Sequence, residues 1–273
     1  MRPFLAIETA TDRGSVAVGD RRAAAAEIVV GGRRHAAALV PAVHEVLRLA
    51  GLRYGDLMGV VVADGPGSFT GLRIGFATAL GILREHPNLE LRTASSMLGA
   101  AWNAASFVSG AIAGLYDALR GEVFGAVYAI PGDARGAARD GTVDDGEEET
   151  APTTRESGDH RSEARAVVIE TIVEPCLVTV SELRRRCRVR PVVAVGDGAL
   201  AYAEEVHEWT GRAAVGPPAG GPSAGALLGL LGVAGGTRRV DDPTSFEPAY
   251  GRLAEAQVRW EREHGRPLPH PDG

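Results

Sequence analysis

The chain has 273 residues, of which 29 are basic and 35 acidic, so its formal net charge is −6. This length suffices to bury a core without a metal or disulfide staple, and the acidic balance argues against a stand-alone nucleic-acid binder, which normally has a basic surface. All 29 basic residues are arginine. The sequence therefore excludes mechanisms that need a lysine, namely a Walker-A phosphate site, a kinase strand lysine and a Schiff base.

The cysteine content and the hydropathy pattern favour an intracellular location. The two cysteines, Cys176 and Cys187, form neither a disulfide framework nor a zinc-site pattern, and they fit a reducing compartment. The first residues contain no long apolar run, which predicts that no signal peptide is present. No stretch of about 18 apolar residues occurs either, so we expect a cytoplasmic protein without a membrane span.

The first part of the chain shows strand patterns followed by a helix pattern. Apolar runs at 4–7, 15–18 and 27–30 are joined by tight turns and predict an antiparallel meander. Apolar residues at helical spacing then predict a helix over 35–50, which Pro41 either starts or kinks. These elements favour a mixed sheet with helices on its faces.

A buried strand at 60–63 runs into the turn Asp64-Gly65-Pro66-Gly67-Ser68. Its continuous apolar character is typical of a parallel central strand. Ser68 is a favourable N-cap, so the sequence predicts a helix from there to Glu85, and a further helix over 95–105. Free N–H groups at the start of the first helix could hold an anion, although the segment is neither a Walker A nor a nucleophile elbow.

The second half of the chain contains one segment of different composition. Strands are predicted at 111–116, 123–130 and 191–195, order returns at 166–173, and helices are predicted at 200–209, 224–233 and, with amphipathic character, 252–264. Residues 131–165 are rich in Gly, Asp, Glu, Thr and Arg and include the acidic run 144–149. This composition predicts a disordered insertion, with an acidic arm for a basic partner as the alternative.

Small residues recur every four positions along the helix that follows Ser68. Gly67, Gly71, Gly75 and Ala79 are spaced by four, and within a helix Gly71, Gly75 and Ala79 would form one ridge with almost no side chains. A glycine inside a helix costs about 1 kcal/mol relative to alanine, so two of them need a compensating reason. We expect the close approach of another backbone. The sequence leaves open whether that backbone belongs to the same chain or to a second subunit.

Five segments of the chain are together similar to the signature of a known family. They are the glycine-rich segment 65–75, Glu8-Thr9-Ala10-Thr11, Arg34-His35 ahead of Leu39-Val40-Pro41, residues 117–124, and Pro248-Ala249-Tyr250-Gly251-Arg252. They resemble the TsaB (YeaZ) family, the non-catalytic partner proteins of bacterial tRNA threonylcarbamoyladenosine synthesis. The sequence departs from the family at a displaced arginine, at Phe124 in place of tyrosine and at Glu8 in place of aspartate. The resemblance is strong over 1–128, patchy over 166–252 and absent from the acidic insertion.

The resemblance implies a fold and a division into domains. The family belongs to the actin-like, Hsp70 and sugar-kinase superfamily, which implies an α/β fold of two ribonuclease-H-like lobes with the second lobe reduced. We expect the first lobe at 1–106, with residues 222–264 packing back on it. The smaller lobe would span 107–221 around the insertion at 131–165, and residues 265–273 would form a loose tail.

The resemblance also implies a role without turnover by this chain alone. Such a protein pairs with its catalytic paralogue of the TsaD family, which transfers threonylcarbamoyl to adenosine 37 of tRNA, and a small P-loop ATPase of the TsaE family joins the pair. We expect the partner interface on the helices at 35–50 and 68–85, with tRNA reached through the complex. The expected interface residues are His35, Leu39, Val43, Ser68, Phe69, Thr70, Gly71, Leu72, Gly75 and Ala79.

Two features predict that the chain has no catalytic site of its own. In active members of the superfamily an aspartate after the first strand helps to position metal and phosphates, whereas Glu8 stands here. The catalytic paralogue binds metal through two histidines four residues apart, whereas Leu39 stands four residues after His35. We expect no catalytic residue, no metal and no cofactor, with ATP at the complex interface left open. Residues that could still contact a nucleotide are Glu8, Thr9, Thr11, Gly196, Asp197 and Gly198.

Two alternative functions stay open on the sequence. One is a divergent actin-like ATPase or phosphotransferase, because this superfamily does not require a P-loop lysine. The other is a self-associating regulatory homodimer, since the same glycine ridge can serve a twofold contact. The arginine cluster at 184–190 could contact tRNA phosphates, although a solvated helix face is the simpler interpretation.

Overall fold

The computed structural model describes residues 2–31, 35–132, 134–136, 167–243, 246–248 and 250, without the side chains of residues 35 and 36. The strands are β1 (Phe4–Glu8), β2 (Arg13–Gly19), β3 (Ala24–Gly31), β4 (Gly59–Gly65), β5 (Glu90–Ser95), β6 (Gly110–Asp117), β7 (Val123–Ile130), β8 (Val167–Val168), β9 (Glu170–Val178), β10 (Val193–Val195), β11 (Val233–Ala234) and β12 (Arg238–Arg239). The α-helices are α1 (His35–Ala50), α2 (Phe69–Glu85), α3 (Ser96–Ala104), α4 (Val180–Arg186), α5 (Asp197–Ala201), α6 (Ala203–Thr210) and α7 (Ala224–Leu230).

Two sheets with the same strand pattern form the two lobes of an α/β fold. In the first sheet, of order β12-β5-β4-β1-β2-β3, the meander β1–β2–β3 is antiparallel, and β4 runs parallel to both β1 and β5. In the second sheet, of order β10-β6-β7-β9, the meander β6–β7–β9 is antiparallel and β10 runs parallel to β6. The second lobe therefore repeats the first in reduced form, a repeat that the sequence pattern does not reveal.

Helices cover both faces of the two sheets. Helices α1 and α2 pack on the outer face of the first sheet, and α4 and α6 pack on the outer face of the second. Helix α3, with the buried Trp102, lies between the sheets and contacts strands of both. Helix α7 packs on α3 and on strands β1 and β2. Helix α3 therefore carries much of the contact between the lobes.

The structure confirms most elements predicted for the first half of the chain. The meander, the helix over 35–50, the parallel strand β4 and the capped helix α2 all form. Ser68 caps α2, because its Oγ atom accepts a hydrogen bond from the Gly71 N–H at 3.2 Å. Helix α1 begins at His35, so Pro41 lies within the helix rather than at its start.

Other elements differ from the predictions. The sequence does not predict β5, because the mostly buried Glu90 and Arg92 interrupt its apolar pattern and pair with each other at 2.9 Å. The single helix predicted over 200–209 is two short helices that meet at Tyr202, and the helix predicted over 224–233 ends at Leu230. The last predicted helix, the tail and most of the predicted insertion lie outside the described residues, and the domain boundaries stay predictions.

The glycine ridge of α2 packs against the turn that follows β1 in the same chain. A Cβ atom on Gly71 would lie 2.0 Å from the Thr9 carbonyl oxygen, and one on Gly75 would lie 2.3 Å from Thr9 Oγ1. Gly67 meets Ala10 in the same way, at 2.4 Å from its carbonyl oxygen. These glycines allow α2 to approach the backbone of its own lobe, so the compensating contact is intramolecular.

We expect Gly71→Ala to destabilise the fold by about 3 kcal/mol, because the added methyl group meets backbone atoms that cannot move aside. Gly81 lies on the same helix with nothing within 4 Å of its Cβ position. Gly81→Ala is therefore the matched control and should keep the stability or raise it by up to about 1 kcal/mol. Urea unfolding measures both variants, and equal midpoints would contradict the close packing of the ridge.

Candidate functional site

Glu8 and Thr9, in the turn after β1, lie completely inside the fold. The Glu8 Oε1 atom accepts a hydrogen bond from the Ala10 N–H at 2.7 Å, whereas Oε2 has no hydrogen-bond partner among the described residues. Burial raises the pKa of Glu8 to about 8; the Ala10 hydrogen bond opposes this shift and the neighbouring Asp64 carboxylate adds to it. The Glu8 carboxyl group is therefore mostly uncharged at neutral pH.

Asp64 and Tyr116 complete a buried polar cluster around Glu8. Burial raises the pKa of Asp64, while the nearby Thr93 side chain and the Arg238 guanidinium, 3.7 Å away, oppose the shift. The Tyr116 hydroxyl donates a hydrogen bond to the Ser96 carbonyl oxygen at 2.7 Å. A metal–phosphate site needs charged carboxylates that solvent and ligand can reach. Glu8 is completely buried in this structure and presents no carboxylate surface to such a ligand.

The residues predicted for nucleotide contact do not form one accessible site in the structure. Glu8 and Thr9 have no exposed surface in the structure, and their contact with a nucleotide stays a prediction. The physical reason for their burial is the close approach of α2, which covers the turn that these residues occupy. A contact through Thr11, which is partly exposed, stays a prediction.

The turn Gly196-Asp197-Gly198 follows β10 in the second lobe. The Asp197 Oδ1 atom accepts hydrogen bonds from the Asp117 N–H at 3.1 Å and from the Gly198 N–H at 2.8 Å. A Cβ atom on Gly198 would lie 2.7 Å from the Tyr116 carbonyl carbon. These contacts give the turn a structural role against strand β6, and its contact with a nucleotide stays a prediction.

Most of the predicted interface residues are buried inside the first lobe. The buried ones are Leu39, Val43, Gly71, Leu72, Gly75 and Ala79. These six residues hold α1 and α2 onto the sheet and onto the turn after β1, and their contact with a partner stays a prediction. Ser68, Phe69 and Thr70 keep exposed surface at the start of α2, so their part in an interface stays a prediction. The side chain of His35 lies outside the described part of the structure.

The outward sides of α1 and α2 instead enclose an apolar groove of about 540 Å³, referred to below as the α1–α2 groove. Its lining residues are Val40, Val43, His44, Tyr54, Ile74, Ala77, Thr78, Gly81, Ile82, Glu85 and His86. Val40 is 47% exposed. Tyr54 stacks on His86 with ring centroids 4.8 Å apart, and His44 meets the Tyr54 ring edge-on at 6.2 Å. The groove thus offers exposed aliphatic and aromatic surface to an apolar ligand or protein.

Sequence reasoning missed most of these groove residues. It followed the regular apolar stripes of the two helices, and those stripes face the core. The available signal was the apolar or small residue at outward positions of the same helices, such as Val40, Ala77 and Gly81. Apolar residues at such positions point to a contact surface once the core side of each helix is known.

Two further features limit the chemistry of the described part of the chain. Within it, no three His, Cys, Asp or Glu side chains come together as metal ligands would, and no helix is long and apolar enough to cross a membrane.

In the arginine cluster, Arg184 pairs with Glu208 at 3.8 Å and Arg186 pairs with Glu182 at 3.0 Å. These pairs fit the interpretation as a solvated helix face, and contact with tRNA stays a prediction.

Comparison with known sequences gives matches to tRNA-modification proteins. A family model described as TsaD, tRNA N6-adenosine threonylcarbamoyltransferase, matches residues 29–166, half of the chain. The chain is 37% identical over 129 residues to the tRNA threonylcarbamoyladenosine biosynthesis protein TsaB of Escherichia coli, covering 46% of this chain and 54% of that protein. It is 36% identical over 96 residues to TsaB of Bacillus subtilis, covering 35% and 41%. The chain thus spans about half the length of the curated relatives it matches.

Two solved structures share the fold of the chain. An uncharacterised Pseudomonas aeruginosa protein with similarity to peptidase YeaZ superposes with a TM-score of 0.65 at 22% identity, over 92% of this chain and 100% of that one. YeaZ from Pseudomonas aeruginosa superposes with a TM-score of 0.60 at 20% identity, over 85% and 91%. These similarities confirm the predicted two-lobed α/β fold.

We expect Glu8→Gln to remove a pH dependence of stability that the wild-type chain has. The folded pKa of about 8 lies above the ordinary value of 4.5, so the folded chain keeps a proton that the unfolded chain releases. This stabilising contribution is complete below about pH 4.5 and is lost as the pH rises towards 8, by about 1.4 kcal/mol per pH unit. Above pH 7 the Gln variant should therefore unfold at higher denaturant concentration than the wild type.

Urea unfolding of both chains between about pH 5 and pH 8.5 measures this difference, because the two free-energy curves should diverge across the window. Parallel curves would show that Glu8 is already charged in the folded chain.

Proposed function

We propose that this chain is the non-catalytic partner subunit in tRNA N6-threonylcarbamoyladenosine synthesis. The proposal starts from the family: the chain belongs to the family that the TsaD model describes and, within it, to the TsaB (YeaZ) group. Its partner would be the catalytic paralogue of the TsaD family, and tRNA would be bound through the complex in the cytoplasm. The observation that carries this proposal is the exposed α1–α2 groove in a lobe whose Glu8 carboxyl group, at the end of β1, is buried and mostly protonated.

The α1–α2 groove supports a protein partner rather than a small polar substrate. Its surface is mainly apolar, with Thr78, Glu85 and two histidines also in its walls, and exposed apolar patches mark interaction sites. Two helices side by side also present a furrow into which the side-chain ridge of a partner helix can pack. Both helices rest on the first sheet through buried residues, so the surface is preformed and costs little ordering on binding.

The state of Glu8 supports the assignment of chemistry to the partner. A phosphotransferase of this superfamily would use a charged carboxylate at this position, whereas Glu8 is buried and mostly protonated. The divergent ATPase is therefore not favoured. A P-loop ATPase of the TsaE family as a third subunit is part of the proposal, and a homodimer through the same groove is the competing arrangement.

We expect Ala77→Glu to weaken binding to the TsaD-family protein of the same organism more than tenfold, because it places a charge in the apolar groove. Leu200→Glu is the matched control, since Leu200 is an apolar residue that is 51% exposed on the other lobe. Isothermal titration of the purified proteins measures both affinities. Equal affinities of the two variants would exclude the groove as the interface, and light scattering of the chain alone distinguishes the homodimer.

The function itself is tested in cells from which this protein has been depleted. Mass spectrometry of tRNA nucleosides should show loss of threonylcarbamoyladenosine, and a copy carrying Leu200→Glu should restore it. A copy carrying Ala77→Glu should fail to restore the nucleoside to the wild-type level. Persistence of threonylcarbamoyladenosine after depletion would overturn the proposed function.

A further inference from the structure

Strand β3 forms one edge of the first sheet. Among the described residues its backbone pairs only with β2, in a register that places Arg13 opposite Gly31. The other side of β3 therefore presents a row of unpaired N–H and C=O groups, to which a further strand can bind. The strand has neither the proline nor the lysine that often protects a sheet edge from such pairing, and its one charged residue is Glu27.

A pocket of about 360 Å³ lies beside this edge and is referred to below as the β3 pocket. Arg13, Glu27 and Val29 line it from the sheet, and Phe107 lines it from the segment after helix α3. Val29 is 50% exposed and Phe107 is 49% exposed, so the pocket offers apolar surface to a ligand. Because side chains alternate along a strand, every second residue of a strand added to β3 would face the side of the sheet on which the pocket lies.

Arg13 gives the β3 pocket a positive charge. Its side chain is exposed and makes no hydrogen bond or ion pair with the described residues. Glu27 is held elsewhere, because its Oε1 atom accepts a hydrogen bond from the Gly225 N–H at 3.2 Å. Gly31, opposite Arg13, has no side chain, and no described atom lies within 4 Å of its Cβ position. An acidic residue opposite Gly31 on an added strand would therefore meet Arg13 without obstruction.

We propose that the β3 edge and the β3 pocket bind an extended peptide segment of another protein, which adds to the sheet as an antiparallel strand. Main-chain hydrogen bonds to β3 supply affinity, and side chains at alternate positions supply specificity. The peptide residue opposite Gly31 is acidic and pairs with Arg13. The residue two positions later is apolar and packs on Val29 and Phe107. The recognised pattern is therefore an acidic residue, any residue and an apolar residue, in that order.

A second copy of the chain fits this surface less well than a separate peptide. Glu27 and Val29 of a copy have the same acidic and apolar pattern. However, the antiparallel register that brings Glu27 of one copy to Arg13 of the other pairs only residues 27–31 of the two strands. A separate peptide can pair along all eight residues of β3, and its acidic side chain has no prior hydrogen bond such as the one between Glu27 and Gly225.

Fluorescence polarisation of a labelled peptide tests strand addition to the full chain. The probe is the octapeptide Thr-Glu-Thr-Leu-Thr-Ser-Thr-Ser with fluorescein at its N-terminus and an amide at its C-terminus. We expect saturable binding with a dissociation constant on the order of 100 μM. Arg13→Glu should weaken binding more than tenfold, and a probe with lysine in place of glutamate should recover most of that loss. Arg212→Glu is the matched control, because Arg212 is an exposed arginine of the other lobe, and should bind as the wild type does.

Backbone methylation of the probe distinguishes strand addition from binding in the β3 pocket alone. Alternate N–H groups of an added strand point towards β3. Methylation of one alternate set of nitrogens should therefore abolish binding, whereas methylation of the other set should leave it nearly unchanged. Equal affinities of the two methylated probes would overturn the added strand. Phe107→Ala should weaken binding several-fold and provides a second pocket variant should Arg13→Glu fail to fold.

The remaining outcomes decide the occupant of the edge. Absence of saturable binding by the folded wild type, or equal affinities of Arg13→Glu and Arg212→Glu, would overturn the proposal. Self-association in light scattering that Arg13→Glu abolishes would assign the edge to a second copy and overturn the peptide. The β3 pocket shares no lining residue with the α1–α2 groove, so Ala77→Glu should bind the probe as the wild type does. Failure of the proposed function would therefore leave this result unchanged.

Discussion

The close approach of helix α2 to the turn after β1 determines the rest of the first lobe. The Thr9 carbonyl oxygen occupies the space where a side chain on Gly71 would begin. The Ser68 N–H donates a hydrogen bond to the Ala10 carbonyl oxygen at 2.7 Å, so the loop before the helix is held to the same turn. The second lobe has a similar constraint, because a Cβ atom on Gly198 would lie 2.7 Å from the Tyr116 carbonyl carbon. In both lobes a glycine lets a helix close over the end of a central strand.

The close approach of α2 changes the protonation of Glu8, the residue at the end of β1. Glu8 loses its contact with water and keeps one hydrogen bond, from Ala10, which is too little to stabilise a buried charge. The neighbouring Asp64 adds to the penalty. The packing that orders the lobe therefore also buries this carboxyl group and raises its pKa, so fold stability and the protonation of Glu8 have the same physical cause.

The sequence predicts local features of this region better than the contacts between distant segments. Ser68 as a cap and the need for a backbone close to Gly71 follow from spacing and propensity alone. The identity of that backbone does not, because Thr9 lies more than sixty residues earlier and nothing in the spacing indicates it. Strand β5 was missed because Arg92 and Glu90 satisfy each other inside the fold. The α1–α2 groove depends on how two helices lie side by side, which periodicity cannot provide.

Three sides of helix α2 contact different parts of the molecule. Gly71 and Gly75 face the turn after β1, Phe69 and Arg73 face the chain near Tyr250, and Ala77 faces the groove. These faces share one backbone, so the packing of Gly71 and Gly75 against the turn after β1 also fixes the position of Ala77. The close packing of these buried glycines therefore holds the exposed side of α2 in a fixed position on the lobe.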